Sequence, residues 1–265
     1  MADPRVTALY RFPVKGLSPE ELHNVSLEAG GTMPWDRAFA IENGTADFDP
    51  EDPQYFHKTK FLMLAKNERL ATLETSFDDD TGMLTILRRE KSGRAKQVAK
   101  GDITSRIGRQ LIEHFLTSYM EDDLRGPPRL VTVPQGKGAG FSFSDVPMKV
   151  LSLINLESVR DLARVTGKPV DPLRFRGNVY VDGLPAWSEL EWENKTFSIG
   201  SLKVKGILRT QRCAATNVNP ETAERDMNVP QTLRISYGHM DMGIYCEVLE
   251  AGELARDDIV TPPAG

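Results

Sequence analysis

Cysteine is nearly missing from this chain of 265 residues: there are two, Cys213 and Cys246, and only four histidines. Two cysteines cannot build a disulfide framework, and they cannot hold an iron–sulfur cluster through four thiolates. No run reaches the roughly 18 apolar residues of a membrane-spanning helix, and the opening MADPRVTALYRFPVKG has no apolar stretch of a secretory signal. The chain is therefore expected in the cytoplasm, with no membrane partner. Positive charge is scarce as well, since 33 Lys and Arg against 38 Asp and Glu give a net charge of -5. That balance argues against nucleic acid as a partner but leaves room for a local basic pocket, so a small-molecule substrate, anionic or neutral, is expected.

At 40% hydrophobic and 8% aromatic, the chain can fill one large core or two modest ones. Alternation over Val6 to Phe12 predicts a first strand ending at Pro13 and Gly16, and a second strand follows the charged pair Asp36-Arg37. Lys15 and Arg37 are cations at the edges of these strands. The stretch from Asn43 to Lys60, rich in Asp, Pro and Gly, reads as a long surface loop or cover that includes His57. Phe61 to Ala65 and Met83 to Leu87 read as strands around a tight turn at Asp78-Asp79-Asp80-Thr81-Gly82, whose acids lack the spacing of a calcium loop. Apolar residues at Ile103, Ile107, Leu111, Ile112, Phe115, Leu116 and Tyr119 recur at helical spacing and predict an amphipathic helix. The breaker Gly126-Pro127-Pro128 then divides the chain into 1–125 and 126–265.

In the second part, Gln135-Gly-Lys-Gly-Ala-Gly-Phe141 invites a phosphate-loop reading, but the Lys-Ser/Thr pair is missing and a connector is favoured. Val150 to Asn155 leads as a strand into a helix that Asn155 caps and Gly167 ends. Free amides at a helix start attract anions, so Ser152 and Asn155 are candidate ligand contacts, with ordinary capping as the alternative. Arg174 and Arg176 fall on one side of an expected strand, followed by Gly177-Asn178, where a ligand can approach closely. Leu233 to Tyr237 and Ile244 to Leu249 read as closing strands, and Cys246 as a buried strand residue. The β-rich second part suits a closed barrel.

The most reactive segment is Ile207 to Thr222. Cys213 there follows Arg212, with Arg209 four residues back, where a strand gives way to a turn before Asn219-Pro220. Cationic neighbours favour the thiolate, the form that attacks electrophiles and binds soft metals. The alternative is a buried hydrophobe.

Together these stretches resemble the MOSC family, named for the C-terminal domain of molybdenum cofactor sulfurase. Leu9-Tyr-Arg-Phe-Pro-Val-Lys-Gly16 and Trp35-Asp-Arg-Ala-Phe39 resemble its N-terminal signatures. Phe175-Arg-Gly-Asn178 resembles Phe-Arg-Pro-Asn, and Arg212-Cys-Ala-Ala-Thr-Asn-Val-Asn-Pro-Glu-Thr222 resembles Arg-Cys-x-x-Thr-Thr-Val-Asp-Pro-x-Thr-Gly. Gly252-Glu-Leu-Ala-Arg-Asp-Asp258 resembles the family's Gly-x-Ile-x-x-Gly-Asp ending. The resemblance implies a mixed α/β, strand-rich fold: a MOSC β-barrel at 126–265 behind an N-terminal α/β region at 1–125. It implies a molybdenum–molybdopterin cofactor with Cys213 as the metal's protein ligand and the catalytic centre. Lys15, Arg37, Arg176, Asn178, Arg212 and Thr216 then surround the cofactor, with Asn155 where the family often has Ser.

In layout the chain resembles the amidoxime-reducing branch, which implies reduction of N-hydroxylated or N-oxide compounds with electrons from a separate donor protein. Gly16 stands where Ser is usual, Ala223 where the family has Gly, and His57-Lys-Thr-Lys60 where Thr-Gln-Arg is common. Two rivals keep Cys213 but drop the redox step: a carrier of sulfur or cofactor, and a plain cysteine nucleophile.

Overall fold

Three of the four short strands at the N-terminus find a partner far along the chain. The computed structural model describes residues 3–44, 47–90, 94–133 and 140–264; most of the glycine-rich stretch at 135–141 lies outside them. Strand β1 (Arg5–Arg11) is joined by β2 (Glu20–Leu22), while β3 (Asn24–Leu27) and β4 (Phe39–Asn43) leave for other sheets. A hairpin, β5 (Leu73–Asp78) and β6 (Met83–Arg89), adds β7 (Ala95–Asp102) as its third strand. Helix α1 (Arg106–Tyr119) follows, and β8 (Pro128–Thr132) returns to pair with β4.

The second part holds β9 (Leu151–Asn155), α2 (Leu156–Thr166), β10 (Val179–Asp182), β11 (Thr196–Ile199) and β12 (Leu202–Gln211). It ends with α3 (Val229–Tyr237), β13 (Asp241–Glu250), β14 (Gly252–Ala255) and β15 (Val260–Thr261).

The main sheet has the order β15-β11-β12-β13-β9-β10-β1-β2. It is strand-rich, as expected, but it is not a closed barrel. An isolated bridge between Arg5 and Ile259 and the bonds Val6 N to Asp258 O and Val260 N to Pro4 O draw its ends together without a continuous ladder among the described residues. Strands β14 and β15 are too short to complete one. Because β1 and β2 belong to this sheet and β3 pairs with β14, residues 5–27 are built into the second part. No helix among the described residues is long and apolar enough to cross a membrane.

Several local expectations change. Leu233 to Tyr237 is helical, because Asn228 caps the first turn, Pro230 fits there without its missing N–H, and Gly238 closes the helix at φ 77. Phe61 to Ala65 forms only a single bridge with Glu42 before turning. Ile107 and Leu111 of α1 are 73% and 55% exposed, while Gly108, Ile112, Leu116 and Tyr119 make its buried face. Arg174 and Arg176 are not strand neighbours: Pro172–Phe175 is a 3₁₀ turn, and Arg176 is left-handed at φ 50.

Ala223 also lies in the left-handed region, at φ 60, which explains why glycine suits this place after Pro-x-Thr. Ala223→Gly is expected to raise apoprotein stability by about 1 kcal/mol in chemical denaturation, since relief of the Cβ clash outweighs the added freedom of the unfolded chain. Cys246 is 1% exposed within the core that lines β9, β12 and β13, and burial pushes its thiol well up. Cys246→Ser is expected to cost about 1–3 kcal/mol in the same measurement.

Candidate functional site

Cys213 is placed by backbone bonds on both sides. Arg212 N donates to Met240 O over 2.8 Å at the end of β12, and the 3₁₀ turn Ala214–Asn217 follows, where Thr216 donates to Cys213 O from N (3.1 Å) and Oγ1 (2.9 Å). The thiol itself is only partly buried. Arg212 is committed to the scaffold: its guanidinium donates to Met242 O and Phe175 O, the latter over 2.8 Å, and lies 5.4 Å from the Phe175 ring. Burial pushes it below its ordinary value. Arg209 faces away and bonds Leu190 O and Glu191.

Six cations line the cavity around Cys213: Lys15, Arg37, Lys58, Arg174, Arg176 and Arg212. Among the described residues Asp145 is the only carboxylate on that wall. Arg37 and Arg176 lie over the Phe12 ring, 4.7 and 4.2 Å from its centroid, and both have left-handed backbones, at φ 51 and 50. Such strain in non-glycine residues gathers at functional sites. Arg37 is tied to Asp36 and donates to Arg176 O over 2.8 Å. The Arg176 guanidinium has no hydrogen-bond acceptor among the described residues. Burial, then the like charge of Arg37, push it well below its ordinary value.

Lys15, 8% exposed, donates to Phe143 O (2.8 Å) and Asp145 (2.9 Å), and burial pushes it down. Lys58 donates to the other Asp145 oxygen over 2.6 Å and lines the cavity beside Cys213. Burial opposes its charge, but Asp145 and then Cys213 raise it above its ordinary value. Asp145, although desolvated, is held far below the carboxylate range by Lys15 and Lys58. Tyr245 stands across the β13–β9 ladder from Ser152, and both line the cavity. Burial, then Asp145, raise the Tyr245 phenol.

Of the residues expected from sequence, Lys15, Arg37, Ser152, Arg176, Arg212, Cys213 and Thr216 share this wall. Asn155 and Asn178 do not line it. Asn155 caps α2 by accepting from Glu157 N and donates to Glu189 and Pro185 O, whereas Asn178 staples β9 to β1 through Ser152 N and Tyr10 O. The sequence reading missed Lys58 and Asp145, which arrive from a loop and a connector. Tyr245 had a signal, as the outward neighbour of buried Cys246 on an alternating strand.

The space at Cys213 is about 100 Å³ and adjoins, across Gly16, Leu64, Arg174, Arg176 and Ala215, a second cavity of about 440 Å³. Together they reach the range of cofactor sites, about 300–1,000 Å³. Two wall atoms, Arg174 Nε and Thr210 Oγ1, are buried without a partner. The wall thus offers a soft sulfur ligand, a surplus of cations and unspent donors, a set that fits a metal carried on an anionic organic group.

Two family models match the chain: the MOSC N-terminal beta barrel domain over residues 3–123 and the MOSC domain over 141–261. Human molybdenum cofactor sulfurase is 22% identical over 253 residues, covering 86% of this chain and 28% of its own length. Bovine mitochondrial amidoxime reducing component 2 is 31% identical over 120 residues, 41% of this chain and 35% of that protein. The chain therefore spans little more than a third of these relatives at most. Among solved structures, the YuaD protein of Bacillus subtilis aligns over 98% of this chain and 94% of its own at 13% identity and a TM-score of 0.43. With its two halves matched by the two MOSC models, the chain belongs to the MOSC family.

Proposed function

We propose that this chain holds a molybdenum–molybdopterin cofactor through Cys213 and reduces N-hydroxylated or N-oxide small molecules, using electrons from a separate donor protein. The reading rests on the cation surplus around a partly exposed cysteine, with Arg176 lacking an acceptor among the described residues. Among the described residues no group of three or more His, Cys, Asp or Glu can hold a metal ion. A metal at Cys213 must therefore bring its other ligands with it, as an organic cofactor does. Bound there, the cofactor supplies the two-electron redox centre. Arg37 and Arg176 hold its phosphate by charge-assisted bonds, and the Arg174 Nε and Thr210 Oγ1 groups gain partners. Lys58 and Tyr245 present N–H and O–H donors near the cysteine, where the leaving oxygen of an N–OH group needs a proton. Asp145 keeps Lys58 charged and in place.

A second reading makes the chain a non-redox carrier of sulfur or cofactor that uses Cys213. It draws support from coverage, since the sulfurase relative aligns over 86% of the chain and the amidoxime reducing relative over 41%. The two readings part at turnover. Protein made in a molybdopterin-producing host should reduce benzamidoxime with reduced methyl viologen; cofactor-loaded protein with no turnover would favour the carrier.

Cys213→Ser is expected to abolish that turnover while leaving the apoprotein melting temperature unchanged, because a partly exposed thiol at a strand end contributes little packing. Retained turnover would remove Cys213 from the centre. Arg176→Ala should keep the fold, with a melting temperature no lower than wild type, since it removes a desolvated cation without a counter-ion. Its cofactor content, measured as released pterin per chain, should fall, and full occupancy would take Arg176 out of the phosphate site.

A further inference from the structure

The larger cavity beyond Cys213 has a polarity that the cation-rich wall does not share. It lies between the two parts of the chain, and its volume of about 440 Å³ is by itself in the range of cofactor sites. Leu64, Leu173, Ala215, Val218 and Pro220 give it apolar sides, and Glu74, Asp171 and Glu221 bring carboxylates to it. Glu74 is spent on Arg89, whose Nε donates to it over 2.8 Å. The other two carboxylates keep acceptors in hand. Asp171 Oδ1 accepts from Leu173 N over 2.8 Å, and its second oxygen accepts no hydrogen bond among the described residues. The Glu221 carboxylate accepts none there either, although its backbone is fixed. Glu221 N donates to Asn219 Oδ1 over 2.9 Å, and Glu221 O accepts from Arg89.

Donors stand beside these acceptors where the two cavities meet. Arg174 and Arg176 line both. Arg174 is 4% exposed, and its Nη atoms are used on Asp226, Thr216 O and Asn217 O, which leaves its buried Nε without a partner. A buried donor left unpaired is costly, so an acceptor that arrives with a ligand is stabilising there. The cavity thus joins free carboxylate oxygens, an unspent buried N–H and apolar sides. That set complements a flat heterocycle whose edge carries N–H donors next to a carbonyl.

We infer that this cavity is the slot for a 2-amino-4-oxopteridine ring, with Asp171 and Glu221 accepting from its 2-amino and N3–H groups and Arg174 Nε donating to its 4-oxo oxygen. The inference rests on the cofactor reading, since molybdopterin carries such a ring, and it adds the residues by which the chain tells that ring from others. Hydrogen bonds to ionised carboxylates are the strong ones. A site built to pair an N–H group also rejects an analogue that lacks it. A ring with oxygen in place of the 2-amino group turns an acceptor toward a carboxylate, and the two repel.

The test titrates apoprotein, made in a host without molybdopterin, with pterin and with lumazine, which has a 2-oxo group where pterin has the 2-amino group. Calorimetry is run at a pH where both rings are neutral. Wild type should bind pterin about tenfold more tightly than lumazine. The pair Asp171→Asn/Glu221→Gln keeps side-chain size and the Asp171 cap on Leu173 N, and it should lose that preference at an unchanged melting temperature. Glu224→Gln, exposed on the same turn and outside the cavity, should retain it. Made in a molybdopterin-producing host, the pair should also carry less pterin per chain than wild type. Equal affinity of wild type for the two rings, a preference that survives in the pair, or a wild type that binds neither ring would overturn the inference. A wild type that prefers pterin but takes up no molybdenum counts against the cofactor reading instead, and leaves the slot as a site for a free pterin.

Discussion

Uncompensated positive charge at the centre of the molecule is the constraint on which the site depends. Arg37 and Arg176 are held over one Phe12 ring in left-handed backbone conformations, and a single backbone bond, Arg37 to Arg176 O, locks them side by side. Two guanidinium groups so close repel each other, and burial sharpens the repulsion. Asp36 satisfies the first, and among the described residues no hydrogen-bond acceptor satisfies the second. A folded chain keeps such an arrangement only if the surrounding structure enforces it, and a bound anion is the natural complement. The rest of the site is consistent with that demand: Lys15 and Lys58 converge on Asp145, and Arg174 leaves its Nε unspent.

The scaffold keeps this charge apart from the groups that build it. Arg212 spends its guanidinium on Met242 and Phe175 carbonyls and so fixes the strand end that carries Cys213. Asn178 and Asn155 serve the sheet and the helix cap. Arg225 clasps Ala214 O on one side and the Leu64 and Ala65 carbonyls on the other, tying the cysteine turn to the first part of the chain. The cavity therefore has walls from both parts, and β1, β2 and β3 weave the first part into the second part's sheets.

Local chemistry was legible in the sequence wherever a short pattern decides the structure. The strand, Asn155 cap and Gly167 stop of β9 and α2 were read directly, as were Cys213 at a strand end and buried Cys246. Closure was not legible, because the pairing of β1 with β10 and the brevity of β14 and β15 depend on partners far away in the chain. Alternation at Leu233 to Tyr237 suggested a strand, yet Asn228, Pro230 and Gly238 specify a helix from outside that window. Helical spacing placed Ile107 and Leu111 with the core, but α1 packs through Gly108 and Ile112, where Gly108 lies so close to Asp102 that a Cβ would overlap its backbone. Lys58 and Asp145 could not be paired by any spacing rule, since 87 residues separate them.

Molybdenum content per chain tests the central claim most directly. Wild type and Cys213→Ser are purified from one molybdopterin-producing host and analysed by mass spectrometry for metal, with molybdenum X-ray absorption reporting the sulfur neighbours. Wild type should carry molybdenum stoichiometric with the chain and show one more sulfur neighbour than any metal retained by Cys213→Ser. Wild type free of molybdenum with Cys213 intact, or identical sulfur shells in the two proteins, would contradict the account.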